Sequence, residues 1–241
     1  MITFKKELFT EYSVEMADQK GDCHLGNLLF FIAGTIGIAT KNGYTYGFHK
    51  WNNQIFFVNP LPAKEEKEYQ PINIPWGFNG FDIPDNSSIF GWLQTEKYFA
   101  HCEDLIRHYF TLKEITKPIK DTIFVHYRNY GKEVYNIFIP LGRDYYMKAL
   151  EQLPKKRVIV VTDNIAKARS VIGENFEYIS NTPIVDFYLL ANADYVVMSN
   201  STFSWWGAWL SKAVTVFPSQ FFNPTLGNDS ADMYCDRWIK V

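Results

Sequence analysis

Three short polar segments each follow an apolar run that is typical of a buried strand. The cationic pair Tyr127-Arg128 follows TIFVH, the acidic segment 162–164 follows RVIVV, and the hydroxyl-rich segment 199–202 follows YVVM. Parallel sheets bind ligands in the crevice outside the carboxyl ends of their strands. We therefore expect the three segments to converge on one ligand.

The side chains of these segments suit an anionic ligand. Arg128 can donate two parallel bonds to phosphate oxygens and neutralise a departing diphosphate. Ser201 and Thr202 stand where the next helix begins, so their hydroxyls can cap it while its free N–H groups point at an anion. Asp163 can accept from a nucleobase edge or from ribose hydroxyls, and His126 can donate to a phosphate or pack on a base. Together they predict a site for a nucleotide diphosphate.

Each of these residues, taken singly, also has a structural interpretation. Ser-Thr before a helix is more often an ordinary N-cap, and Arg128 could form a surface ion pair. Asp163 could cap the next helix, and His126 could be a structural histidine at the end of a strand. Three aromatic residues at helical spacing are more often core than ligand platform: Trp205, Trp206 and Trp209. The joint placement of the polar residues is what favours a ligand site.

Strands and helices alternate through the second half of the sequence. We expect strands over 122–126, 157–161, 176–179, 195–198 and 213–217, and helices over 144–153, 164–172, 185–193 and 203–212. Asp186 is expected on the exposed face of the third of these helices. The alternation predicts a parallel, doubly wound sheet.

The first half of the sequence is less regular. A buried helix is predicted over 28–41 with Gly43 as its cap, and helical spacing continues over 96–110. The proline-containing, charged stretch 61–75 is interpreted as an exposed loop. Four aromatic residues could stack on sugar faces or could belong to the core: Trp51, Trp76, Phe78 and Trp92.

Composition excludes several classes of protein. The chain has 241 residues, 47% of them hydrophobic, which indicates a folded protein, and its net charge of −2 lacks the basic footprint of a nucleic-acid binder. The longest apolar run, 28–39, is shorter than the roughly 20 residues of a membrane span. The N-terminus has no signal-peptide core, so we expect a cytoplasmic protein, with peripheral membrane association left open. No DxD pair, CxxC pair or HExxH motif is present, so no metal is expected.

Several segments resemble the α1,2-fucosyltransferase family. NSTFSWWGAWL, from Asn200 to Leu210, resembles the signature of that family, and HYRN, from His126 to Asn129, stands where the family has HVRRGDY. LGNLLFFIAG, FGWLQTEKYF and DYYMKAL resemble three further segments, so that the resemblance covers roughly residues 20 to 225.

The resemblance implies an α/β, GT-B-like fold with two Rossmann-like halves. Residues 1–118 would form an acceptor-side α/β half, and residues 119–241 a nucleotide-sugar-binding half with a doubly wound parallel sheet. It also implies an inverting, metal-independent transfer from GDP-fucose to a glycan acceptor, with no cofactor besides that donor. Arg128 would then hold the β-phosphate, and Gly26 and Asn27 would lie in a loop facing the donor. The other implied donor-binding residues are His126, Asp163, Asn200, Ser201, Thr202 and Phe203.

Departures from the family pattern fall near Arg128. Asn129 replaces a second arginine, for which Lys132 or Arg143 could substitute, and Tyr130-Gly131 replaces a Gly-Asp pair. The catalytic base is therefore unassigned. Glu133 is the nearest candidate in the sequence, although it could equally be a solvated loop residue, and Asp22, His24 and Asp144 stand behind it.

Three alternatives to this function stay open. The chain could use a different GDP-linked sugar, or it could be a non-catalytic binder of nucleotide or glycan. A hydrolase is disfavoured, because no GxSxG motif is present.

Overall fold

The computed structural model describes residues 1–5, 25–132, 135–226 and 230–241. They form two compact units, Met1–Lys113 and Glu114–Val241. The boundary predicted from the sequence falls between residues 118 and 119. Both residues lie in the irregular segment 114–121 that follows the first unit. Across the described ranges, no helix combines the length and the apolar character needed to cross a membrane.

The first unit contains a small parallel sheet. Its strands are β1 (Thr3–Phe4), β2 (Gln70–Asn73) and β3 (Ser87–Phe90), in the order β1–β3–β2. The stretch 61–75, expected to be a loop, therefore contains β2. Pro71 is compatible with this strand because β2 lies at the edge of the sheet, where a missing N–H leaves no ladder bond unmade.

The helix α1 (Leu25–Asn42) is the centre of the first unit's core. Its residues from Leu28 to Ala39 are all buried, as expected for a helix that is apolar on all sides. Gly43 ends it with φ of 70°, while Tyr44 N–H donates to the Ala39 carbonyl. The predicted helix and its glycine cap are confirmed.

The segment 96–110 forms less regular helix than expected. It contains two 3-10 turns, Glu96–Tyr98 and Ala100–Cys102, followed by the helix α2 (Glu103–Tyr109). The backbone leaves helical geometry at Phe99, which has φ of −135°. Tyr98 and Phe99 are both fully buried, so packing overrides the helical spacing at this point.

The second unit contains a six-stranded parallel sheet. Its strands are β4 (Thr122–Tyr127), β5 (Arg157–Thr162), β6 (Glu177–Ile179), β7 (Tyr195–Val197), β8 (Val214–Phe217) and β9 (Ile239–Lys240). The order is β6–β5–β4–β7–β8–β9, with every pair parallel. This is the order of doubly wound nucleotide-binding sheets, and it reverses direction between β4 and β7.

The helices of the second unit connect these strands as predicted, with ends shifted by one or two residues. They are α3 (Arg143–Glu151), α4 (Ile165–Ile172), α5 (Pro183–Ala191) and α6 (Thr202–Ser211). α5 and α6 pack closely because Gly207 has no side chain: a Cβ there would lie 2.6 Å from Leu190 Cβ. The three tryptophans of α6 are fully buried, so they are core residues. Both units are thus α/β with parallel sheets.

Candidate functional site

The sheet of the second unit reverses its strand order between β4 and β7, and the loops after these strands flank that point. Two contacts join the end of β4 and the loop after it to the loop after β7. His126 Nδ1 lies 2.8 Å from Ser199 Oγ, and the Tyr130 hydroxyl donates to the Asn200 carbonyl at 2.8 Å. The crevice outside the carboxyl ends of strands at such a reversal is where open α/β sheets bind ligands.

The structure brings Arg128 and Asp163 into direct contact across β4 and β5. Arg128 Nη1 donates to Asp163 Oδ2 at 2.5 Å, and Asn129 N–H donates to the other carboxylate oxygen at 3.0 Å. About a quarter of each charged side chain is exposed, so the pair lies at the surface of the crevice. Asp163 does not cap α4, because Asn164 Oδ1 accepts from Lys167 N–H instead.

Tyr130 supports the loop that carries Arg128. Its ring stacks on Phe138 with centroids 4.4 Å apart and planes 3° from parallel. The Arg128 guanidinium carbon lies 5.8 Å from the Tyr130 ring centroid. The sequence did not identify this residue, since nothing in the spacing of HYRNYG distinguishes a stacked tyrosine from an exposed one.

The loop after β7 is fixed by buried hydrogen bonds. Asn200 is buried, and its amide nitrogen donates to the carbonyls of Ile139 and Phe221. The predicted N-cap is confirmed: Ser201 Oγ accepts from Phe203 N–H. Because α6 follows a parallel strand, its first turn lies at the carboxyl edge of the sheet, with the positive end of the helix dipole there. Thr202 is the first residue of this helix.

His126 has the environment of a structural histidine. It is 5% exposed, and its ring centroid lies 5.4 Å from that of Phe203, which in turn packs edge-on against Phe187. Burial, with a smaller contribution from the positive charge of Arg128, lowers the pKa of His126 to about 3. The ring is therefore neutral at physiological pH, and its bond to Ser199 orients the loop after β7.

Asp186 is a further carboxylate in this region, and the expectation that it is exposed is wrong. It lies in the first turn of α5, after β6, and is 6% exposed. Asn181 donates to it from its backbone N–H at 3.2 Å and from its amide at 2.8 Å. Burial first, and then the negative charge of Asp163, raise its pKa to about 6, although the Asn181 bonds oppose this. A single acidic residue within the apolar run PIVDFYLLA was the signal available in the sequence.

In the first unit, the predicted loop residues Gly26 and Asn27 lie in a helix. Both belong to the first turn of α1, because Leu25 is buried and the apolar helix begins with it. Asn27 Oδ1 accepts a hydrogen bond from Gln94 Nε2 at 3.1 Å. The expectation of a loop at these two positions is therefore wrong.

The residues named as base candidates are described only in part. Glu133, Asp22 and His24 lie outside the described residues, and Asp144 is exposed in the first turn of α3. Arg143, considered as a substitute for the second arginine, donates to the Ile172 carbonyl at the end of α4. Among the residues that the structure describes, no group of three or more histidine, cysteine or acidic side chains could hold a metal ion.

Comparison with known proteins gives a family and two relatives. The sequence model of glycosyl transferase family 11 matches residues 48–241. An alpha-1,2-colitosyltransferase of Escherichia coli is 29% identical over 213 residues, which is 76% of this chain and 73% of that protein. The O-antigen biosynthesis glycosyltransferase WbnK of Escherichia coli is 30% identical over 114 residues, 42% of this chain and 37% of that protein.

Proposed function

Because the chain belongs to glycosyl transferase family 11 and is therefore a glycosyltransferase, we propose that it transfers L-fucose from GDP-fucose to a hydroxyl group of a glycan acceptor. The transfer inverts the anomeric centre and uses no metal or further cofactor. The observation that supports this most is the strand reversal, where Arg128 follows β4 and the first turn of α6 follows the neighbouring strand β7. In this proposal the fold is GT-B-like, with the second unit holding the donor.

The donor diphosphate binds between Arg128 and the N-terminus of α6. Arg128 already pairs with Asp163, but a partly exposed ion pair at the protein surface contributes only about 1 kcal/mol. A diphosphate can therefore share or displace the carboxylate. The dipole of α6 adds a fixed partial positive charge at its N-terminus, which favours an anion.

Carboxylates at the ends of β5 and beyond β6, next to Arg128 along the sheet, suit the nucleoside. Asp163 can accept from ribose hydroxyls, as the sequence suggests. Asp186 has a pKa near 6, so it is ionised at neutral pH and can accept two N–H groups from a purine edge, which fits guanine. The buried ring of His126 packs on Phe203 and keeps the first turn of α6 in place.

Catalysis then depends on stabilising charge as the glycosidic bond breaks. Negative charge builds on the departing diphosphate, and preorganised donors aimed at it lower the barrier. Positioning of the acceptor hydroxyl contributes much of the rest. Glu133 is the proposed base that takes the acceptor proton, and a good leaving group makes this step less demanding.

A second candidate donor is GDP-linked colitose, the 3-deoxy analogue of L-fucose. The similarity to an alpha-1,2-colitosyltransferase favours it. A site that hydrogen-bonds the 3-hydroxyl discriminates against the analogue that lacks it by on the order of 10⁴-fold. The ratio of kcat/KM for the two donors therefore identifies the natural sugar.

Replacement of Arg128 tests the proposed donor site. Arg128→Ala should lower transfer from GDP-fucose or GDP-colitose by about 10²-fold or more, with an unchanged circular dichroism spectrum. Arg169→Ala is the matched control, since that arginine is exposed on α4 and pairs with Glu174. Full transfer by a folded Arg128→Ala protein contradicts the assignment of Arg128, and failure of both GDP-sugars to react in the wild type contradicts the donor class.

A further inference from the structure

Two aromatic side chains at the carboxyl end of β3 are exposed. Phe90, the last residue of the strand, is 42% exposed, and Trp92 is 40% exposed. Large aromatic side chains gain much free energy from burial, so their exposure at one place indicates a binding surface. The carboxyl edge of a parallel sheet is also where ligands bind in α/β proteins.

The other aromatic candidates of the first unit are less available. Trp51 is buried and stacks on Phe57 with centroids 5.2 Å apart. Phe78 packs edge-on against Tyr98 at 5.0 Å. These contacts are those of core residues. Among the tryptophans of the described residues only Trp92 is exposed, and the fourth candidate, Trp76, is half-buried.

The Trp92 ring rests on a fixed support. Its centroid lies 5.9 Å from that of Phe31, a buried residue of α1. The next residue, Leu93, has φ of +48°, a left-handed conformation that is costly for a side chain of this kind. Leu93 is buried above Gly34, where a Cβ would lie 2.7 Å from Leu93 Cδ1. Burial of Leu93 thus holds the strained loop and leaves Trp92 at the surface.

Two amide side chains belong to the segments that carry Trp92 and its support Phe31. Gln94, two residues after Trp92, donates to Asn27 in the first turn of α1. Each amide carries both donors and an acceptor, which match the hydroxyls of a sugar, while an indole face matches its C–H groups. An aromatic wall with a few placed polar groups is the usual composition of a small-molecule site.

We propose that Trp92 binds a pyranose ring of the acceptor glycan by stacking, with Gln94 and Asn27 bonding to its hydroxyls. This inference rests on the proposed glycosyl transfer, which requires an acceptor. A sugar suits the surface better than a second copy of the chain does. Two side chains fall far short of the roughly 800 Å² per partner that stable protein interfaces bury, and Lys5 lies 5.6 Å from the Phe90 ring centroid, which adds charge to the patch.

The test compares sugar binding by three variants. Trp92→Ala removes the ring, Trp92→Phe keeps a smaller one, and Ile55→Ala alters a side chain of the same unit that is 66% exposed. Saturation-transfer NMR is run with methyl glycosides of glucose, galactose, mannose and N-acetylglucosamine. At least one should bind the wild type, Trp92→Ala should weaken it about tenfold, and Trp92→Phe should retain most of the affinity. Ile55→Ala should bind as the wild type does.

Calorimetry with GDP on the same proteins separates this inference from the proposed function. If GDP binds and Trp92→Ala keeps the full sugar affinity, the inference fails and the donor site stands. If sugar binding depends on Trp92 but GDP does not bind, the proposed function fails and the sugar site stands. Binding of none of the glycosides to the wild type, or dissociation of a wild-type dimer by Trp92→Ala in sedimentation, overturns the inference.

Discussion

The buried carboxylate of Asp186 should reduce the stability of the fold at neutral pH. Its pKa rises from 3.8 to about 6, a difference of about 2 units, and each unit corresponds to 1.36 kcal/mol. Because the folded state holds this proton more tightly than the unfolded chain does, the protonated Asp186 contributes its full stabilisation of the fold below about pH 4. This stabilisation is lost as the pH rises through about 6. By pH 7 the cost reaches up to about 3 kcal/mol.

Asp186→Asn removes this titration while keeping the size of the side chain and one acceptor oxygen for Asn181. The variant should therefore gain stability over the wild type as the pH rises, with a difference that grows by up to about 3 kcal/mol between pH 4 and pH 7. Urea unfolding of both proteins at a series of pH values measures the difference in their unfolding free energies. The contributions of the other titrating groups are the same in both proteins and cancel in this difference. The same variant should bind GDP more weakly, since it loses the anionic acceptor for the base.

Asp194 offers a control of opposite sign. The backbone N–H of Asp121, and then Lys120, lower the pKa of its carboxyl group. Its stabilising contribution is therefore present above its ordinary pKa and is lost as the pH falls. Asp194→Asn should be less stable than the wild type at pH 7, with a deficit that shrinks in acid. A stability difference for Asp186→Asn that does not change with pH refutes the reasoning about its burial.

Three further substitutions test the packing around the crevice. Tyr130→Phe keeps the stack on Phe138 but loses the bond to Asn200, so urea unfolding should show a loss of about 0.5–1.5 kcal/mol in unfolding free energy. The KM for the donor should also rise, and it should rise more than in the control Tyr188→Phe, which alters a buried tyrosine of α5. Asn200→Ala leaves the carbonyls of Ile139 and Phe221, the second of them buried, without their donor and should cost about 1–3 kcal/mol, measured as a lower unfolding midpoint; an unchanged midpoint would show that the loops relax. Gly207→Ala forces a methyl group onto Leu190 and should cost about 1–3 kcal/mol in the same assay, and a neutral result would mean that α5 and α6 can separate.

The sheet of the second unit was predictable because its strands are short apolar runs. β4, β5, β7 and β8 appear within one or two residues of their predicted positions, since a parallel strand covered on both faces carries a continuous apolar signal. β9 was not predicted, because two residues at the end of the chain give no periodicity. β2 was missed because prolines and charges in its neighbourhood are typical of loops, and its edge position tolerates them.

The candidate site was less predictable than the strands that support it. The predicted strand ends placed Arg128, Asp163 and Ser201 correctly at the carboxyl edge of the sheet. The ion pair between Arg128 and Asp163, however, depends on side-chain geometry that sequence spacing does not specify. The burial of Asp186 was missed for a similar reason. A helical wheel assigns an acidic residue to solvent, whereas packing of α5 against its neighbours buries that position.

The loop after β4 also bears on how one arginine can serve a diphosphate. Where the resembled family has a second arginine, this chain has Asn129, whose N–H holds the Asp163 carboxylate. Tyr130 then stacks on Phe138 and bonds to the loop after β7. Both contacts restrict the backbone on either side of the Arg128 guanidinium before any ligand binds. A cation that is already oriented loses less conformational entropy on binding an anion, so in the proposed donor site loop rigidity would compensate in part for the missing charge.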